Sequence, residues 1–230
     1  MKSIFFDSGP VISLSTTNLL WILPPLKKQF NGSFFIASAV KRELIDIPFY
    51  SKKFKFESME VMKSVNDGTF ELLPPEKTEN LAKELIYLAN NSFFAKGQPL
   101  RLMHDGEIDS IAGAIVTESM AVVVDERTTR LMIEDWRALK NLLESKFHTR
   151  IEVNLENIKR WVERTSHVSI IRSAELATIA YEKGMLNDYL PTVKNAKMEL
   201  LDGVLWGIKL NGCSLSSGEI EKIIRIESKK

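Results

Sequence analysis

Residues 104–130, HDGEIDSIAGAIVTESMAVVVDERTTR, decide how the chain is read. Ile108, Ile111, Ala112, Ile115 and Val116 recur at helical spacing, which predicts a helix over residues 105–118. Residues 121–124, AVVV, are short, β-branched and uncharged, the pattern of a strand buried on both faces of a parallel sheet. That strand runs into Asp125, and ligands of open α/β sheets gather outside the carboxyl ends of strands. On the helix, Asp105 and Asp109 share one flank and Glu107 falls on the opposite one. Carboxylates from a helix start and a strand end are thereby expected to converge, a donor set suited to a divalent cation. Each acid also has an ordinary structural role: first-turn acids favour the helix dipole, and acids after strands cap the next helix.

The pattern continues upstream. Ser3–Phe6 reads as a first buried strand, and Asp7-Ser8-Gly9-Pro10 as its turn into a helix running from about Val11. A helical patch over residues 18–23 is expected to stop at Pro24-Pro25. Ser33–Ala37 is a second strand, with Ser38 capping a helix that carries Lys41, Arg42 and Glu43 and closes at Pro48. Residues 56–65 and 80–90 read as helices, 69–73 as strand-like, and 91–103 as a loop over the mouth of the sheet. Downstream, residues 128–146 are helical in character, and residues 150–153 and 167–171 compete for the place of the last strand. Residues 155–163, 173–183, 195–210 and 217–226 are helical. Strand and helix in alternation predict an α/β fold of three layers, a mostly parallel central sheet flanked by helices, over residues 1–153. Residues 154–230 form a helical extension, expected to pack on that domain or on a second subunit, as in a homodimer.

Bulk properties narrow the function. The 230 residues carry 31 basic and 30 acidic side chains, a net charge of +1, so any nucleic-acid contact must come from a local patch. Cys213 is the one cysteine, which excludes an internal disulfide and a cysteine zinc site and suits a reducing compartment. The apolar run before Asp7 is too short for a signal peptide, and the apolar segment around residues 19–26 is too short and too proline-rich to span a membrane. The expectation is a cytoplasmic protein with no membrane partner.

The segments FFDSGPVISL, SAVKREL, HDGEIDSIAGAI and AVVVDERTTR, in this order, resemble the PIN domain family of metal-dependent nucleases. Within it they are similar to the prokaryotic branch whose fourth helix begins Gly-Glu-x-Glu/Asp, and RSAELATIAYEKG and SLSSGEIEKII resemble that branch's tail. The resemblance implies an acidic quartet of Asp7, Glu43, Asp109 and Asp125, with Glu107 as the additional acid of the Gly-Glu motif. It assigns Asp105 no role. The chain departs from the family at Val123 and Val124, where many members carry Thr or Ser shortly before the last acid.

The implied activity is an endoribonuclease that uses Mg²⁺ or Mn²⁺, the toxin of a toxin–antitoxin pair, with RNA as substrate and an antitoxin protein as partner. Carboxylate oxygens are hard ligands that suit these cations, and a bound cation supplies a water of lowered pKa for attack on a phosphodiester. Lys41, Arg42, Arg127 and Arg130 stand near the acids in sequence and are candidates for holding phosphate. The competing reading is a PIN-like nucleic-acid-binding or scaffold protein with little or no turnover. Changing Asp7, Asp109 or Asp125 to Asn is expected to leave the fold as stable or slightly more so, by relieving like-charge repulsion. Trp21, Trp136, Trp161 and Trp206 do not interleave with basic residues and are expected to pack.

Overall fold

The computed structural model describes residues 2–229. Its strands are β1 (Ser3–Phe6), β2 (Ser33–Ala37), β3 (Glu71–Leu73), β4 (Phe93–Ala95), β5 (Gln98–Pro99), β6 (Ala121–Val123), β7 (Ile151–Val153) and β8 (Ile170–Ile171). The first helices are α1 (Ser8–Thr16), α2 (Leu23–Phe30), α3 (Ser38–Lys41), α4 (Ile47–Phe49), α5 (Lys55–Asn66), α6 (Glu79–Asn90) and α7 (Asp105–Val116). Then come α8 (Arg127–Glu134), α9 (Trp136–Phe147), α10 (Leu155–Thr165), α11 (Ser173–Glu182), α12 (Ala196–Leu210) and α13 (Ser217–Glu227).

Five strands form one sheet in the order β3-β2-β1-β6-β8, parallel throughout. Side chains of a strand alternate between faces, and here both faces are apolar. Ile4, Phe6, Phe34, Ile36 and Val123 point into one core, shared with Val11 and Leu14 of α1 and with Ala177, Leu201 and Leu205 of α11 and α12. Phe5, Val122 and Val124 point the other way, onto Ala114 of α7. The approach of α7 is close because position 113 is glycine: a Cβ there would lie 2.4 Å from the Phe5 ring. Behind α7, a further core gathers Leu85, Phe93, Met132, Leu139 and the fully buried Trp161, whose indole N–H donates to the Met132 carbonyl at 2.9 Å. The result is the expected three-layer α/β fold.

Several local expectations are corrected. Residues 91–103 are not a loop over the sheet: β4 and β5 form a hairpin, and β4 pairs antiparallel with β7 in a small separate sheet. Lys96 and Gly97 take φ of +51° and +76°, the two left-handed residues that a two-residue hairpin turn requires. Pro24 and Pro25 do not stop a helix but open α2, where a missing N–H costs nothing. The helical stretch after Asp125 is broken at Asp135, whose carboxylate accepts from the Arg137 and Ala138 amides at 3.0 Å and starts α9. Of the two candidates for the last strand, Ile170–Ile171 completes the central sheet and Ile151–Val153 joins the hairpin. Residues beyond 153 therefore supply the fifth strand and part of the main core.

Candidate functional site

Parallel strands end at the same edge, and β1 and β6 are neighbours, so Asp7 and Asp125 follow adjacent strand ends. Asp7 continues the ladder through its amide, which donates to the Val123 carbonyl at 3.1 Å. Its side chain caps α1: Oδ2 accepts from the Gly9 amide at 3.4 Å. Oδ1 is buried and has no hydrogen-bond partner. Burial, reinforced by the nearby charges of Glu43 and Glu126 and opposed by the Ser8 and Gly9 amides, pushes the Asp7 carboxyl up to about 7.

Glu43 reaches this place by an irregularity in its helix. Between α3 and α4, residues Arg42–Asp46 form a π-helical turn, in which the Ile47 amide reaches back to the Arg42 carbonyl. Pro48, which follows, lacks the amide hydrogen that an unbroken α-helical ladder would use. Such one-residue widenings re-aim side chains and recur at functional sites. The Glu43 carboxylate lies against the first turn of α7, at the glycine of the Gly-Glu pair. A Cβ on Gly106 would stand 2.8 Å from Glu43 Oε1 and 3.1 Å from Oε2. Glycine at 106 thus makes room for the Glu43 carboxylate beside a helix N-terminus, the end that favours negative charge.

Asp109, one turn further along α7, is half-buried. Its carboxyl is raised by burial, then by Asp105, while the Arg42 guanidinium pulls it down and Glu43 adds to the rise. Glu107 is buried and held by the scaffold. It accepts from the His104 amide at 2.9 Å, closing a capping box, and from the Thr129 hydroxyl in a short contact. Its carboxyl is raised by burial first, then by a hydrogen bond with the Glu126 carboxyl and by the Glu126 charge. The structure thus strings Asp105, Asp109, Glu43, Asp7, Glu126 and Glu107 together through pairwise contact or charge.

Asp125 is not on that string. Its Cβ lies beside Gly9, yet both carboxylate oxygens are engaged on the side of α11: Oδ1 accepts from the Ser173 amide at 2.8 Å and Oδ2 from the Ser173 hydroxyl at 2.7 Å. The Cys213 thiol, beside it, is pushed up to about 12 by burial and by the Asp125 charge. Arg172, next to Ser173, ties the same corner together. It pairs with Glu175 at 2.7 Å and Glu219 at 2.8 Å and donates to the Ser214 carbonyl at 3.1 Å. Glu126, which sequence reasoning passed over, is exposed and lies on the side of Glu107 and Asp7. Adjacent residues of an extended segment point to opposite sides, so of two consecutive acids after a strand only one can face α7. The pair Asp125-Glu126 carried that signal, but the direction depended on Ser173, 48 residues away.

The basic candidates divide likewise. Arg42 is exposed beside Asp109, in a cleft of about 760 Å³ between α3, α6 and α7 that Asp105, Asp109 and Lys83 also line. Lys41 is paired with Asp46 at 2.6 Å. Arg130 is paired with Glu134 at 3.6 Å, and its buried Nε has no partner. Arg127 is exposed and without an ion pair among the described residues. Of the tryptophans, Trp161 is core, whereas Trp21 is partly exposed and stacked on Tyr189 at 6.2 Å.

The donors have the chemistry for a hard dication. Asp7, Glu43, Asp109 and Glu126 are oxygen ligands, and Asp7 presents one buried oxygen with nothing to bond. Among the described residues no three such side chains stand close enough to surround one ion as they are placed. Mg²⁺ commonly binds through one or two carboxylates and keeps several waters, a requirement that Asp7 with Glu43 or Glu126 meets in kind. Among the described residues, no helix is long and apolar enough to cross a membrane. Searches against protein-family models, curated proteins and solved structures return no match to this chain.

Proposed function

We propose that the chain is a cytoplasmic Mg²⁺- or Mn²⁺-dependent ribonuclease of PIN type, acting as the toxin of a toxin–antitoxin pair. One observation carries the reading: a buried, unpartnered Asp7 oxygen at the carboxyl edge of a parallel sheet, within reach of the Glu43 and Glu126 charges. Leaving a polar oxygen buried and bare costs free energy, and pressing further carboxylates against it costs more. A dication bound there offsets both costs, and such a site is where α/β sheets bind ligands. RNA and the antitoxin come from the resemblance of the sequence motifs alone, and a homodimer from the apolar helical spacing of residues 154–230.

In this reading Asp7 with Glu43 or Glu126 would hold the cation, with waters completing its shell, and Asp109 stands further along α7, so the site keeps three of the four acids of the motif and replaces Asp125 by Glu126. A cation bound there supplies a water of lowered pKa and charge stabilisation at phosphorus. Asp7 keeps its orientation through the Gly9 amide, and Gly106 keeps the Glu43 carboxylate at the helix start. Arg42 and Arg127, exposed near the acids, hold the phosphate backbone. The Glu107–Thr129 contact fixes α8 against α7 and with it the position of Glu126.

A second reading, a PIN-like binding or scaffold protein with little turnover, is favoured by the commitment of both Asp125 and Glu107 to scaffold hydrogen bonds. Labelled RNA incubated with Mn²⁺, with and without EDTA, separates the two. The nuclease reading expects EDTA-sensitive cleavage that Asp7→Asn removes. Binding of RNA without cleavage in either condition selects the second reading.

A further inference from the structure

Residues 49–56, FYSKKFKF, join α4 to α5 and alternate aromatic rings with lysines. The rings are not buried: Tyr50 is 87% exposed and Phe56 71%. Nor are the lysines neutralised, since Lys52, Lys53 and Lys55 are exposed and form no ion pair among the described residues. Lys53 Nζ lies 4.6 Å from the centre of the Phe54 ring and Lys55 Nζ 5.3 Å from that of Phe49, which in turn meets Tyr50 edge-on at 5.3 Å. Phe54 adopts φ of +62°, a left-handed conformation strained for a bulky side chain, and its ring is presented at the surface. The run adjoins the acids: Glu43 is on the same helical segment, and Glu43 and Phe54 line one small pocket.

We infer that residues 49–56 form a binding platform for single-stranded RNA, in which bases stack on Tyr50, Phe54 and Phe56 and phosphates pair with Lys52, Lys53 and Lys55. Exposed rings offer faces that any unstacked base can cover, and unpaired lysines between them carry the charge opposite to that of a strand's phosphates. A duplex keeps its bases stacked and closed to such rings, so the platform selects single strands. The inference rests on the ribonuclease reading for the choice of RNA, and it places the strand so that it runs from the rings toward Glu43.

The test is fluorescence anisotropy with labelled oligouridylate in EDTA, free or annealed to oligoadenylate, alongside the Mn²⁺ cleavage assay. The free strand is expected to bind more tightly than the duplex. Tyr50→Ala and Phe56→Ala each lower its affinity roughly 5- to 100-fold. Lys→Gln at positions 52, 53 and 55 together reduces the slope of log affinity against log salt by about 2. Unchanged binding in both sets, or equal affinity for the duplex, overturns the platform whatever the cleavage assay shows. So does self-association that Tyr50→Ala and Phe56→Ala abolish while RNA affinity stays put, because the surface then serves a second copy of the chain. Platform-dependent binding without cleavage supports the platform and overturns only the nuclease reading.

Discussion

The ends of β1 and β6 are alike in sequence and unlike in state. Each is a buried parallel strand running into an aspartate, and the two strands are neighbours in register. Asp125 is fully satisfied, with two oxygens bonded to Ser173 and a thiol beside it. Asp7 is left with a bare buried oxygen and other acids near it. Position at a strand end therefore does not make a site. What separates a structural carboxylate from an available one is whether its lone pairs are already used, and that is a property of the surrounding elements.

The contrast breaks most decisively on stability. Asp125→Ala removes the acceptor of two hydrogen bonds to an ionised group and leaves the buried Ser173 amide bare, so it should destabilise by about 4 kcal/mol. The sequence alone suggested that Asp125→Asn would leave the fold as stable or slightly more so. Urea unfolding measures it, and a loss below about 1 kcal/mol would show that Asp125 is not the structural member of the pair.

Asp7 should show the reverse sign, and pH reveals it. Its carboxyl rises from the ordinary 3.8 to about 7, so between these values the folded protein holds a proton that the unfolded chain has released. Folding stability is then lost as pH rises from about 4 to about 7. In EDTA, Asp7→Asn should remove that loss and gain on the order of 2–4 kcal/mol on the parent between pH 4 and pH 8. Parallel stability curves for parent and variant across this range would sink the assignment of Asp7 as the strained carboxylate.

Gly106→Ala sharpens the comparison from the Glu43 side. The new Cβ, 2.8 Å from Glu43 Oε1, must push the carboxylate away from the helix start. Mn²⁺ affinity by calorimetry is expected to fall roughly 10-fold, as when a ligand's support is lost. Global stability should change by less than about 1 kcal/mol. Unaltered Mn²⁺ binding would remove Glu43 from the site.

The smallest effect belongs to Glu126→Gln. A glutamine amide donates to Glu107 and removes the Glu126 charge that raises its carboxyl, so the variant should be more stable than the parent by about 1 kcal/mol at pH 8 and equal to it at acid pH. A gain that persists unchanged into acid would point to packing instead of the carboxyl pair.

How much of this was legible follows from range. The short apolar runs at Ser3–Phe6 and at 121–124 are local signals, so the strands and their parallel sheet could be read. The hairpin at 93–99 could not, because strands of three and two residues are too short for alternation to register. Asp109 was singled out by its place on a helix face, and Asp7 and Glu43 by the resemblance of the motifs around them. Glu126 was hidden behind its neighbour, and the fate of Asp125 was set by Ser173, across five intervening elements.

The edge strand β8 has a consequence for the order in which the molecule is made. During synthesis β1, β2, β3 and β6 leave the ribosome before Ile170, so the open edge of β6 waits for its last partner. Pairings distant along the chain are slow, and an unpaired apolar edge in that interval invites other chains. Until Ser173 follows, Asp125 is an unclaimed carboxylate beside Asp7, and the nascent protein carries two free strand-end acids where the finished one keeps a single one. Synthesis of Ser173 is thus also the step that sorts the acids into one that holds the structure and one that keeps a bare oxygen.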